Sequence, residues 1–202
     1  MDDLTINISV DGKDYDLELY AFVQACKKIG AKIVVQARAN LAMQDKIVTG
    51  TLADGLYFSL TETDDGLTMQ FKGHAPYYDF VEQGVQGAAS SAKAPNSPYR
   101  FGSGTGQKGT LQPAIRKWIV DKGISNQTWR DAKGRFLSFD TMSKWISRSV
   151  YLTGIKPSYY YSMAIDETLK QAISLLQAGL EKDIDIFLKD NFSRTYEISI
   201  TI

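Results

Sequence analysis

His74 and Cys26 are the only histidine and the only cysteine of the chain. Chemistry that needs an imidazole or a thiol must therefore run through these two. A zinc site of Cys and His ligands needs about four such side chains, so one chain cannot build it. A Ser-His-Asp triad has only His74 to offer as its base. Asp79 and Glu82 stand near it in sequence, but no motif sets a Ser or Cys beside it. Gly73-His74-Ala75-Pro76 reads instead as a hydrogen-bonded histidine at a strand end. Cys26 falls on an apolar stripe and reads as a small core residue. Asp64-Asp65 sits in a turn, and Asp183 with Asp185 straddles a solvated helix face, because positions two apart do not face each other. Gly104-Thr105-Gly106-Gln107-Lys108-Gly109 matches G-x-G-x-x-G. That motif needs a buried strand just before it to aim backbone N–H groups at a pyrophosphate. Here Pro98 spoils the preceding Ser97–Phe101 run as a central strand. There is no Gly-Lys-Ser/Thr triplet for a P-loop. The expectation is no catalytic residue, no metal ligand and no cofactor; the enzyme alternative is a nucleotide site on the Gly104–Gly109 loop.

The elements around these residues follow from hydrophobic period. The chain has 202 residues and 22.5 kDa, which suits one domain over 1–202. Ile6, Ile8 and Val10, then Tyr15, Leu17 and Leu19, alternate on either side of Asp11-Gly12, predicting a hairpin over about 4–19. Phe22, Cys26, Ile29, Ile33, Ala37 and Leu41 step by three and four, predicting a helix over about 20–43. Tyr57–Glu62 and Leu67–Lys72 read as a second pair of strands. Leu111, Ile115, Trp118 and Ile119 share a helical face, with Gly123 as a left-handed C′ residue and Ile124 as its apolar C″. Residues 139–151 read as another helix. Ser158 is a candidate cap for the longest one, whose stripe is Ile165, Leu169, Ile173, Leu176, Leu180, Ile184 and Phe187. Tyr196, Ile198, Ile200 and Ile202 alternate as a C-terminal strand, placed at 191–202. The fold class is α+β: an antiparallel sheet packed by a long helix, with additional helices and a long Gly/Ser-rich loop.

Lys+Arg and Asp+Glu are both 23, which argues against a uniformly basic nucleic-acid-binding module. No apolar run approaches the ~20 residues that cross a bilayer. MDDLTINISV has no basic n-region, so no secretory signal is expected, and a lone cysteine suits synthesis in a reducing cytoplasm. Residues 84–110 are rich in Gly, Ser, Ala and Pro and contain no acid. They read either as a mobile surface loop or as an arm ordered against a neighbouring subunit. Lys93, Arg100, Lys108, Arg116 and Lys117 are the cations between Gln83 and Val120, a set able to touch phosphates without reading bases. Lys93, Tyr99, Arg100, Phe101, Lys108, Tyr196, Ile198 and Ile200 are the candidate interface or lumen residues. Deleting 85–109 is expected to leave a folded monomer that does not assemble.

The order of several landmarks resembles one family. They are Thr49-Gly50-x-Leu52, Tyr78-x-Phe80-Val81-Glu82-x-Gly84, Ser97-Pro98-Tyr99, Ile115-x-Lys117-Trp118-Ile119-x-x-Lys122-Gly123-Ile124, and Tyr151-Leu152-x-Gly154-Ile155-Lys156-Pro157-Ser158-Tyr159-Tyr160. Over about residues 20–190 this resembles the tail-completion, or head–tail joining, proteins of tailed bacteriophages. In that family a Y-x-x-F-V-E-x-G strand, a helix ending in Lys-Gly-Ile and a Gly-Ile-x-Pro turn recur in this order. The resemblance implies a virion component made in the host cytoplasm. It would assemble as a ring, commonly hexameric, against connector, neck and tail-tube proteins, with DNA passing through the lumen. Lumen-facing residues would come from hairpin tips or the arm. No catalysis, cofactor or membrane is implied.

Overall fold

A computed structural model describes residues 4–192 apart from 11, 64–65, 105–108, 126 and 128; the side chains of Val10 and Phe192 are also left aside. Strands β1 (Thr5–Val10) and β2 (Lys13–Glu18) pair antiparallel, with Ile6 opposite Leu17 and Ile8 opposite Tyr15. Helix α1 (Tyr20–Met43) follows, with the predicted bounds, then a short α2 (Thr51–Asp54). β3 (Leu56–Thr63) and β4 (Gly66–Gly73) form a second two-stranded sheet. After α3 (Tyr78–Gln83), β5 (Val85–Gln86) pairs antiparallel with β6 (Gly154–Ile155). Helices α4 (Leu111–Asp121), α5 (Phe139–Thr153) and α6 (Tyr160–Phe192) complete the described residues. The α+β class holds, with the strands among the described residues spread over three two-stranded sheets.

Contacts divide the chain, expected to be one domain, into two compact units. Unit 1 holds residues 1–37, 57–72 and 163–202, and unit 2 holds 38–56 and 73–162. In unit 1, Leu17 and Leu19 of the first hairpin bury against Phe187 of α6, with Ile8, Tyr15, Phe22 and Leu180 around them. Tyr15 meets the Phe187 ring edge-on, with centroids 6.0 Å apart. Gly30 lets α1 come close to the second hairpin, since a Cβ there would sit 2.5 Å from the Phe58 ring. In unit 2, Ile119 of α4 and Met142 of α5 are fully buried with Leu137. The α4 C-terminus is a complete Schellman motif: Ile124 N–H donates to Ile119 O, and Gly123 (φ 68°) donates to Val120 O. Ile124 packs back on Ile119.

Three expectations change. The Tyr78–Gln83 stretch, read as a strand through the family motif, is one and a half turns of helix, with Val81 N–H bonded to Tyr77 O. The buried side of α6 in its first half is not the Ile165-Leu169-Ile173 row. Tyr161, Ala164, Thr168 and Ala172 are buried, while Leu169 and Ile173 are 51% and 54% exposed. Further along, the same helix comes close to α1: a Cβ at Gly179 would lie 3.0 Å from Ala21 O and Phe22 Cα. Asp183 is not on a solvated face. It is 4% exposed, and its carboxylate accepts the Ala21 and Phe22 N–H groups, both at 2.8 Å. These are orphan donors in the first turn of α1, whose flanking Leu19 has no side-chain acceptor. Asp185 is exposed, 4.0 Å from Lys189.

Candidate functional site

Three of the landmark stretches, 80–84, 97–99 and 154–158, come from far apart in sequence and meet in one joint of unit 2. Gly84 precedes β5 and Gly154 opens β6 opposite Gln86, and both have backbone that only glycine adopts readily (φ 70°, ψ −175° and φ 85°, ψ −177°). A Cβ at Gly84 would stand 2.6 Å from Ile155 O, and one at Gly154 2.3 Å from Val85 O. Ser97 Oγ donates to Gly84 O at 2.7 Å, locking the Ser97-Pro98-Tyr99 turn against the same ladder.

Glu82 is the centre of the joint. Its buried carboxylate accepts Tyr161 N–H at 2.9 Å, Ser162 N–H at 3.0 Å and Ser162 Oγ–H at 2.7 Å. It therefore supplies the N-terminal acceptor for α6 that the sequence assigned to Ser158. The Ser158 hydroxyl turns away to Gln44 Oε1. A negative charge at this end of the helix also suits its dipole. Beside Glu82, Tyr160 is fully buried, and its hydroxyl donates to Tyr78 O at 3.2 Å. Burial, and secondarily the Glu82 charge, push the Tyr160 phenol far above its ordinary range. A raised phenol pKa means the fold favours the protonated form. Its contribution is whole below about pH 10, where the unfolded phenol begins to ionise, and is lost as pH rises beyond that. Unfolding titrations from pH 8 to 11 should show stability falling from about pH 10, less steeply in Tyr160→Phe.

The Gly-rich segment is not extended over its described part. Gln86 exchanges backbone bonds with Tyr99 and Phe101, Ala88 and Ala89 donate to Tyr151 O and Leu152 O, and Gly87 donates to Ser90 O. A Cβ at Gly87 would lie 2.2 Å from Leu152 O. Residues 84–103 are thus stitched to the end of α5 in their own unit. Deleting 85–109 removes this layer and should unfold unit 2 rather than leave a folded monomer; circular dichroism of the deletion checks it.

Four candidate residues are brought together here. Lys93 Nζ donates to Thr153 Oγ1 at 2.9 Å, and Arg100 donates to Ala88 O at 3.3 Å. Tyr99 meets Phe80 edge-on at 4.6 Å, and Phe101 stands 5.9 Å from Tyr151. Burial, with the charge and hydrogen bond of Asp79, raises the Tyr99 phenol pKa. Lys108, Tyr196, Ile198 and Ile200 lie outside the described residues, as does most of the Gly104–Gly109 motif. Arg116 and Lys117 are taken up by Asp140 and Asp121 at 2.7 and 2.6 Å, along a groove bordered by Gln112, Pro113 and Val120.

His74 follows β4, is exposed, and donates its backbone N–H to Gly55 O. Cys26 is buried on α1, and burial raises its thiol pKa. Its native reaction with a disulfide reagent at pH 8 should be slower than in denaturant by on the order of tenfold or more. Sequence reasoning missed Glu82 and Asp183 as anchors. For Asp183 the signal was present: it interrupts an apolar seam between Leu180, Ile184 and Phe187.

This is an α+β chain whose candidate site is a half-exposed aromatic and basic surface on a hydrogen-bonded loop. No protein-family model, curated protein or solved structure matches it. No helix among the described residues is long and apolar enough to cross a membrane.

Proposed function

We propose that the chain is a structural virion protein of the tailed-phage neck, a ring subunit that completes the tail and joins it to the head connector around the DNA channel. The observation that carries this reading is the convergence of the family-like motifs. Phe80-Val81-Glu82-x-Gly84, Ser97-Pro98-Tyr99 and Gly154-Ile155-x-Pro157 meet in one joint through Glu82, Gly84 and Gly154. Glycine conformation and long-range capping demand those residue types at those positions of this chain, which supports reading them as framework of the kind a family resemblance reports. The half-exposed aromatic residues beside the joint, Phe80, Tyr99, Phe101 and Tyr151, suit contacts between subunits, where amphipathic rings are favoured. The proposed partners are other copies of the chain and the neighbouring neck, connector and tail-tube proteins.

Electron microscopy of whole particles carrying a labelled subunit tests this. The label is expected at the head–tail junction, in a closed ring. Absence of the chain from purified particles overturns the reading.

A further inference from the structure

The zero net charge conceals a division. Unit 1 holds sixteen Asp and Glu against nine Lys and Arg, a formal −7, and unit 2 holds seven against fourteen, a formal +7. Each unit carries one short, regularly spaced row of its own excess charge. On β2, Asp14, Asp16 and Glu18 are exposed and alternate with the inward Tyr15 and Leu17, so three carboxylates stand in a row on one face. Opposite them on β1 are only Ser9, Asn7 and Thr5. None of the three acids has an ion-pair partner among the described residues.

On α5, Lys144, Trp145, Arg148, Tyr151 and Leu152 follow at spacings that share one helical face. All are exposed; Trp145 is 53% so, large for a tryptophan. Neither Lys144 nor Arg148 is ion-paired among the described residues.

We propose that copies of this chain associate through unlike units, the carboxylate row of β2 in one copy docking on the Lys144–Arg148 face of α5 in a second copy. The proposal takes from the neck reading only the premise that copies assemble; the surfaces come from the charge distribution. Their spacings match: alternate strand residues stand about 6.6 Å apart, and helix residues four apart rise about 6 Å. Two cations can therefore address two successive carboxylates. Trp145 and Tyr151 supply flat, amphipathic area around the charges, as interface aromatics do. Like units repel, so the charge pattern also selects against unit 1 meeting unit 1. Because the contact pairs two different surfaces, it can repeat from copy to copy.

Charge reversal in the full chain tests it, read by sedimentation velocity. Wild-type protein should associate at about 0.05 M salt and dissociate as salt rises, as screening shortens the reach of the charges. Asp14→Lys/Asp16→Lys/Glu18→Lys and Lys144→Glu/Arg148→Glu should each lose association by about tenfold or more. An equimolar mixture of the two variants should regain it, since each then offers the surface the other lacks. Asp16→Asn and Arg148→Gln, with circular dichroism on every variant, separate a lost contact from a lost fold. A wild type that stays monomeric, a reversed variant that associates normally, or folded variants whose mixture fails to associate overturns the proposal. So does a Lys144→Glu/Arg148→Glu effect confined to binding of a DNA duplex, which would assign the basic face to nucleic acid. Location in particles is not read here, so the neck assignment and this contact can fail separately.

Discussion

Replacing Glu82 with alanine should lower the unfolding free energy by about 3–5 kcal/mol, measured by urea denaturation. The side chain accepts two backbone N–H groups and a hydroxyl in a buried setting. Hydrogen bonds to a charged group contribute about 1.5–3 kcal/mol each, and a buried donor left bare costs about 1–3. An ordinary cap is worth about 1 kcal/mol, so the excess measures the extra work of this one. Glu82→Gln keeps the shape and one acceptor oxygen and should lose roughly half as much. A loss under about 1 kcal/mol in Glu82→Ala would mean that water enters and replaces the carboxylate.

Gly154→Ala should be at least as damaging, about 4 kcal/mol or more, and should reduce soluble yield. Two costs coincide. The backbone at φ 85°, ψ −177° lies where a Cβ is strained by about 1–3 kcal/mol, and that Cβ would overlap Val85 O at 2.3 Å and Gly87 N at 2.7 Å. Neither neighbour is a flexible side-chain tip, so the β5–β6 ladder itself must move. Gly123→Ala provides the comparison. Gly123 has φ 68° but nothing within 4 Å of an added Cβ, so it should lose only about 1 kcal/mol. Equal losses at the two sites would show that the close packing around Gly154 relaxes freely.

The parts of the fold that were legible in the sequence are those written locally. The bounds of α1, the first hairpin and the Gly123-Ile124 stop are set by residues within a few positions of one another. What escaped is written at long range. Glu82 meets its amides about eighty residues on, and Asp183 meets its own about 160 residues back; spacing within a window names neither partner, and only Asp183 leaves a local sign, as an acid set in an apolar seam. The α6 stripe failed for a different reason. Both its large apolar row and its small-residue row have helical period, so pattern alone does not choose between them; the structure buries the small row and brings Gly179 against Ala21 and Phe22. The Gly-rich segment misled because its composition is that of a loose linker, while its bonds run to Tyr151 and Leu152 about sixty residues later. Of the candidate interface residues, the structure places Lys93, Tyr99, Arg100 and Phe101 on one hydrogen-bonded loop; Trp145 and Arg148 were read only as part of a helix.

The carboxylate of Asp183 that closes the start of α1 also imposes an order on biosynthesis. A ribosome adds this residue about 160 positions after the amides it will hold, roughly 8–30 s later at ordinary elongation speeds. Throughout that interval the first helix has an open beginning, and its apolar stripe lacks the late-made Phe187 neighbourhood. The newborn first helix therefore leaves its opening amides to water until most of the final helix has been made.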